Sequence, residues 1–113
     1  MSVTIWHNPR CSKSRQTLAL LEDSGMAPEV RLYLEDAPSK DEIKHTLKLL
    51  NLEPRGLMRK GEAEYKEQGL ADKDGEDLIA AMAATPKLIE RPIVFSGSKA
   101  RIGRPPESVL DIL

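Results

Sequence analysis

A chain of 113 residues is long enough for one hydrophobic core and too short for two, so a single domain over residues 1–113 is expected. Its 17 basic and 18 acidic residues nearly cancel, which leaves no global field to hold nucleic acid or an anionic membrane; any affinity for anions must come from a local cluster. A single cysteine excludes an intrachain disulfide framework, and one Cys with two His does not supply a structural zinc site, so no metal is expected. The N-terminus shows no basic region followed by a long apolar stretch, and no run reaches bilayer length. The expected compartment is a reducing cytoplasm, where a lone thiol stays a thiol.

From the N-terminus, Val3, Ile5 and Trp6 form a short apolar run that predicts a buried strand, broken by His7-Asn8-Pro9. Leu18 and Leu21, with Leu20 beside them, have helical spacing and predict a helix over 12–23, stopped at Ser24-Gly25. Residues 29–34 alternate apolar and polar and predict a second strand. A helix between two strands implies a right-handed parallel crossover. Ser39 then opens a capping box with Glu42, and Ile43, Leu47 and Leu50 supply the apolar stripe of a second helix. Short helices are expected over 56–60 and 62–68. A further helix over 74–84 carries Leu78, Ile79 and Met82 inward and ends at Thr85-Pro86. Residues 92–96 read as a strand, Gly97-Ser98 as a turn and 99–102 as its returning partner. Pro105 suits the first turn of a last helix whose Val109, Leu110 and Ile112 cover the sheet. This order predicts an α/β protein of thioredoxin-like fold, with an enlarged helical insert between the βαβ unit and a C-terminal β-hairpin plus helix. A fold does not fix chemistry.

The chemistry is signalled by Cys11, which falls where the first strand hands over to a helix N-terminus. Unpaired backbone N–H groups converge there and the helix dipole favours negative charge. Arg10, Lys13 and Arg15 add cations, so a thiol at this point ionises more readily than one in a core. A lone cysteine is more often a small buried hydrophobe. Here the flanking residues are Arg10 and Ser12, polar company that argues for a nucleophile facing an anion. Three further arginines stand at element ends: Arg59, Arg91 and Arg104, the last two each before a proline. A guanidinium can hold a tetrahedral oxyanion through paired hydrogen bonds, which Lys cannot match. Spacing alone does not show that the three converge.

The segments His7-Asn8-Pro9-Arg10-Cys11-Ser12-Lys13-Ser14-Arg15 with Thr17-Leu18, Tyr33-Leu34-Glu35, Leu57-Met58-Arg59-Lys60, Arg91-Pro92-Ile93-Val94 and Arg101-Ile102-Gly103-Arg104-Pro105-Pro106-Glu107 together resemble the ArsC family of glutaredoxin-dependent arsenate reductases, most closely its short YfgD-like branch. The resemblance spans nearly the whole chain. It implies an oxidoreductase in which Cys11 attacks arsenate bound by Arg59, Arg91 and Arg104, with glutathione as co-substrate, a glutaredoxin completing the reduction, and no bound cofactor. It also implies that His7, Ser14 and Arg15 support the thiolate: His7 near the sulfur, and Ser14 by donating to it or capping the helix. Pro92 matches a family proline with a cis peptide bond. The run Arg10-Cys11-Ser12-Lys13-Ser14 departs from the Cys-Gly-Thr-Ser of arsenic-resistance enzymes, which follows a small residue. The chain also ends at Leu113, short of the longer members' C-terminal extension.

Three rival functions are weighed against this. A low-molecular-weight phosphatase needs Arg six positions after its cysteine, where this chain has Thr17. A dithiol oxidoreductase needs a second sulfur where this chain has Ser14. The alternative from another class is a non-catalytic, Spx-like regulatory or interaction protein of the same fold, although such regulators usually carry Cys-x-x-Cys.

Overall fold

The structure, a computed structural model, describes residues 2–113. The chain forms two compact units: one runs through Asp36 and resumes at Arg91–Leu113, the other is Ala37–Glu90.

In the first unit, β1 (Val3–Trp6), α1 (Ser12–Asp23) and β2 (Glu29–Arg31) are followed by β3 (Ile93–Ser96), β4 (Lys99–Ile102) and a 3-10 helix, Pro106–Ile112. The sheet order is β2-β1-β3-β4. β1 pairs in parallel with β2, Ile5 beside Val30, and antiparallel with β3, Ile5 beside Val94. β3 and β4 form the expected hairpin, Val94 beside Arg101. Period-two alternation gives the sheet two faces. On one, Val3, Ile5 and Val94 pack with Leu21 of α1 and with Val109 and Ile112. Each such side chain, fully buried, contributes roughly 1.5–3 kcal/mol. On the other, Trp6 meets Phe95 at 5.0 Å between ring centroids, and the Arg31 guanidinium lies 5.5 Å over the Trp6 ring.

α1 has the expected span and stops where Gly25 takes a φ of +83°, a conformation open to a residue without Cβ. β2 is shorter than expected. It ends at Arg31 because the N–H groups of Glu35 and Asp36 both turn back onto the Leu32 carbonyl. β2 also lies at the sheet edge, so the apolar positions of 29–34 do not mark a buried face: Val30, Leu32 and Leu34 are exposed and Tyr33 is buried. The last element is a 3-10 helix, with three residues per turn. That period aligns Pro106, Val109 and Ile112 on the buried side and turns Leu110 outward, against the expectation that Leu110 covers the sheet.

The second unit holds α2 (Lys40–Leu50), α3 (Ala63–Glu67) and α4 (Gly75–Ala84), with 3-10 helices at Pro54–Leu57, Leu70–Asp72 and Pro86–Leu88. α2 starts on the capping box read from Ser39 and Glu42, and both reciprocal bonds are present. α4 buries Leu78, Ile79 and Met82 as expected. The helix expected over 56–60 does not form. Helical turns end at Leu57, and Met58 instead bridges Ile89, with Arg59 N–H donating to the Leu88 carbonyl and Glu90 N–H to that of Leu57. Those pairings join residues some thirty positions apart, beyond the reach of local spacing. No helix among the described residues is long and apolar enough to cross a membrane.

Candidate active site

Cys11 is the N-cap of α1, with extended backbone at φ −96° and ψ 123°, and its N–H closes a turn onto the Asn8 carbonyl at 3.0 Å. No side chain caps α1 and its first turn carries no acid. The positive end of this helix is therefore left for an anion from outside the helix. The sulfur belongs to a residue 9% exposed, so the burial usual for a lone cysteine is present. Its neighbour is not a hydrocarbon. Nη2 of Arg104 points at Cys11 Sγ from 3.9 Å, a permanent cation placed to attract an oxyanion held beside the sulfur.

The loop before Cys11 is braced at several points. Asn8 donates its N–H to Ser14 Oγ at 3.0 Å, and its side-chain oxygen accepts the N–H of Arg10 at 3.0 Å. Arg15 Nη1 donates to the Pro9 carbonyl at 2.8 Å. Ser14, with no exposed surface, has its hydroxyl 2.6 Å from His7 Nδ1. Ser14 Oγ accepts from Asn8 and shares a second hydrogen bond with His7 Nδ1, in which donor and acceptor follow the imidazole tautomer. Burial first, and the Arg15 charge second, hold the His7 pKa below its ordinary value, which favours the neutral ring. Ser14 thus neither caps the helix nor bonds to the sulfur; it ties strand end, loop and helix together behind Cys11.

Arg91 and Arg104 flank β3 and β4, and both precede prolines through cis peptide bonds, Arg91–Pro92 as expected and Arg104–Pro105 in addition. Nε of Arg104 donates to the Arg91 carbonyl at 3.0 Å, which aims its outer nitrogens at the thiol. Nε of Arg91 is buried and finds no acceptor among the described residues, a vacancy unusual for a charged donor. Arg59 belongs to the helical unit, where its guanidinium is held by Glu62. The hydrogen bond from Arg59 holds the Glu62 carboxyl below the usual carboxylate range. Of the residues singled out from the sequence, the sheet unit brings together His7, Cys11, Ser14, Arg15 and Arg104, with Arg91 behind Arg104.

Sequence reasoning missed Asn8 and Gly103. Asn8 was legible in principle, since an Asn before Pro commonly bonds the backbone two residues on. Gly103 was not. A Cβ there would lie 2.6 Å from Thr17 Oγ1 and 2.8 Å from Pro92 Cγ, so only glycine lets the chain pass between α1 and the cis proline to deliver Arg104.

With this geometry in hand, the comparisons with known proteins are specific. The sequence matches the ArsC family over residues 6–112. It is 54% identical to the uncharacterized protein YfgD of Escherichia coli, over 98% of this chain and 96% of that one. It is 48% identical to an arsenate reductase of Haemophilus influenzae, covering both chains fully. The structure superposes on an arsenate reductase from Vibrio cholerae with a TM-score of 0.96 and 58% identity, over 100% of this chain and 98% of that one. The family match spans residues 6–112, the relatives are similar along nearly the whole chain and share its thioredoxin-like fold, and the chain belongs to the ArsC family.

Proposed function

We propose that this chain is an arsenate reductase-like enzyme with Cys11 as its nucleophile. The observation that carries the reading is the Arg104 guanidinium aimed at Cys11 Sγ from 3.9 Å, at a helix N-terminus that no side chain caps. The arsenate reductases of Haemophilus influenzae and Vibrio cholerae, similar along the whole chain, support arsenate as the anion.

The Cys11 thiolate attacks arsenic; an S–As bond forms, an As–O bond breaks, and that oxygen leaves as water after taking a proton. Arsenic is still pentavalent. The thiol of glutathione displaces a second oxygen as water, so that arsenic bridges Cys11 and glutathione. A glutaredoxin thiolate then attacks the glutathione sulfur. An S–S bond forms, the electron pair of the S–As bond stays on arsenic, and arsenic becomes trivalent. Water cleaves the remaining Cys11–arsenic bond, releasing arsenite and restoring the thiol. Ser14 cannot form a disulfide, so the resolving sulfurs must come from outside the chain. These partners belong with a reducing cytoplasm.

In this reading Arg104 binds the anion beside the sulfur, and the buried, unpaired Nε of Arg91 supports a place for Arg91 as a second ligand. Arg59 is assigned as the third from the family resemblance. The test is arsenite production with glutathione and a glutaredoxin, run beside Cys11→Ser. Turnover by the parent chain, and its fall by at least a thousandfold, about 4 kcal/mol, in the variant are expected. A species joining Cys11, arsenic and glutathione should accumulate when glutaredoxin is omitted. Repeated turnover supported by thioredoxin without glutathione contradicts the scheme, and absence of turnover together with tight binding of a protein partner selects the regulatory alternative.

A further inference from the structure

The scheme above needs a second thiol to reach Cys11, and none of the residues assigned so far receives it. Beside the Cys11 loop lies a groove of about 210 Å³, walled by Asn8, Pro9 and Arg10 on one side and by Leu32, Leu34 and Glu35 on the other. The first wall is the same turn that delivers the nucleophile, since the Cys11 N–H is bonded to the Asn8 carbonyl.

The groove combines three features. Leu32 and Leu34 remain 38% and 43% exposed on it, beside charged neighbours. Arg10 and Glu35, both exposed, bring opposite charges to the same groove, yet neither side chain forms a hydrogen bond or ion pair among the described residues. Its volume is below the roughly 300 Å³ at which pockets begin to enclose a small molecule, so a ligand lies across it and leaves readily. A cation and an anion separated by apolar surface complement a short zwitterion with methylene groups between its charges.

We propose that this groove seats the reducing co-substrate, a small peptide thiol carrying both carboxylate and ammonium groups. A carboxylate pairs with Arg10, the ammonium with Glu35, and the apolar flank lies on Leu32 and Leu34. Arg10, which replaces the small residue that precedes the cysteine in arsenic-resistance members, is then a specificity residue for this thiol. The ligand's role as reductant rests on the function proposed above; its seat does not.

The experiment has a binding arm and a kinetic arm. Titration of the full chain with S-methylglutathione, whose blocked sulfur permits no chemistry, is followed by amide NMR. Shifts are expected at residues 8, 10 and 32–35, and are lost in Arg10→Glu and in Glu35→Lys, while the rest of each spectrum reports an intact fold. In the kinetic arm, the ratio of kcat/KM with glutathione to kcat/KM with 2-mercaptoethanol, which lacks both charges, falls at least tenfold in each variant. Shifts located elsewhere, or an unchanged ratio in an active enzyme, overturn the proposal. Shifts caused by a glutaredoxin but not by S-methylglutathione also overturn it and give this face to a protein. If the chain reduces no arsenate while S-methylglutathione still shifts those amides in a charge-dependent way, the groove stands and the arsenate reading falls.

Discussion

Two helices, one in each unit, begin in opposite ways. α2 starts on Ser39 with both bonds of a capping box and with Asp41 and Glu42 in its first turn, so its positive end is answered from within the helix. α1 starts on Cys11 with no side-chain cap and no acid in its first turn. The same contrast runs through two arginines. Arg55 of the helical unit donates to the Tyr65 hydroxyl at 2.5 Å, to the Leu70 carbonyl at 3.1 Å and to the Lys73 carbonyl, and it holds loops in place. Arg104 of the sheet unit secures itself through Nε and turns Nη2 toward a sulfur. Residue type does not separate the two roles. What separates them is what their outer nitrogens meet: a tyrosine hydroxyl and carbonyls for Arg55, the Cys11 sulfur for Arg104.

Removing Arg55 tests the structural side of the comparison most strongly. Arg55→Met deletes three hydrogen bonds from a charged donor, and a loss of roughly 2–3 kcal/mol is expected as a lower urea midpoint. An unchanged midpoint would show that the helical unit does not depend on this side chain. Gly103→Ala comes next. Its methyl meets Thr17 Oγ1 and Pro92, overpacking worth about 2 kcal/mol. Because the strain falls beside Arg104, turnover per folded molecule should drop as well as the midpoint. Arg104→Lys should reverse that balance: charge is kept and paired hydrogen bonding is lost, so arsenate turnover falls at least tenfold, about 1.4 kcal/mol, with little change in midpoint. Ser39→Ala removes one half of the capping box directly, and about 1 kcal/mol of stability should be lost without a change in the rate at which Cys11 is alkylated. Coupling between the two would break the contrast drawn between α1 and α2.

The smallest expected effect is on pH dependence. Burial, then Arg15, depresses the His7 pKa in the folded chain, while the unfolded histidine titrates near its ordinary value of 6.5. Above pH 6.5 both states hold neutral His7 and its contribution is fully present. As pH falls from 6.5 toward the lower folded value the unfolded chain takes the proton first, so stability declines, and below that folded value the loss is complete. Urea midpoints should therefore fall more steeply across this window in the parent chain than in His7→Gln. Equal slopes would remove the neutral, Ser14-bonded imidazole from the account.

Features with local causes were readable in the chain itself. The limits of α1, the capping box of α2, the apolar face of α4 and the β3–β4 hairpin each depend on residues within a few positions, and each was found where spacing placed it. The same holds for Cys11 at a strand-to-helix junction among cations, since that placement follows from the strand break and the helical period on either side. The family was legible too, because several separated segments matched together.

What a position touches, and which way it faces, depended on partners distant in sequence. Alternation over 29–34 was real, but only the sheet order decided that β2 is an edge and leaves Val30, Leu32 and Leu34 outside. The apolar residues at 109, 110 and 112 fitted a covering helix, but packing selected a three-residue period that turned Leu110 out. Ser14 read as a cap or a thiol donor, yet its hydroxyl was claimed by His7 from the end of β1. Arg104 and Arg55 are the same side chain in the sequence. The tertiary fold brought one to Cys11, 93 positions away, and surrounded the other with carbonyls and a tyrosine hydroxyl. Periodicity and capping are short-range properties of a chain, whereas the partner of a hydrogen bond across a sheet or a loop is set by which surfaces fold against each other.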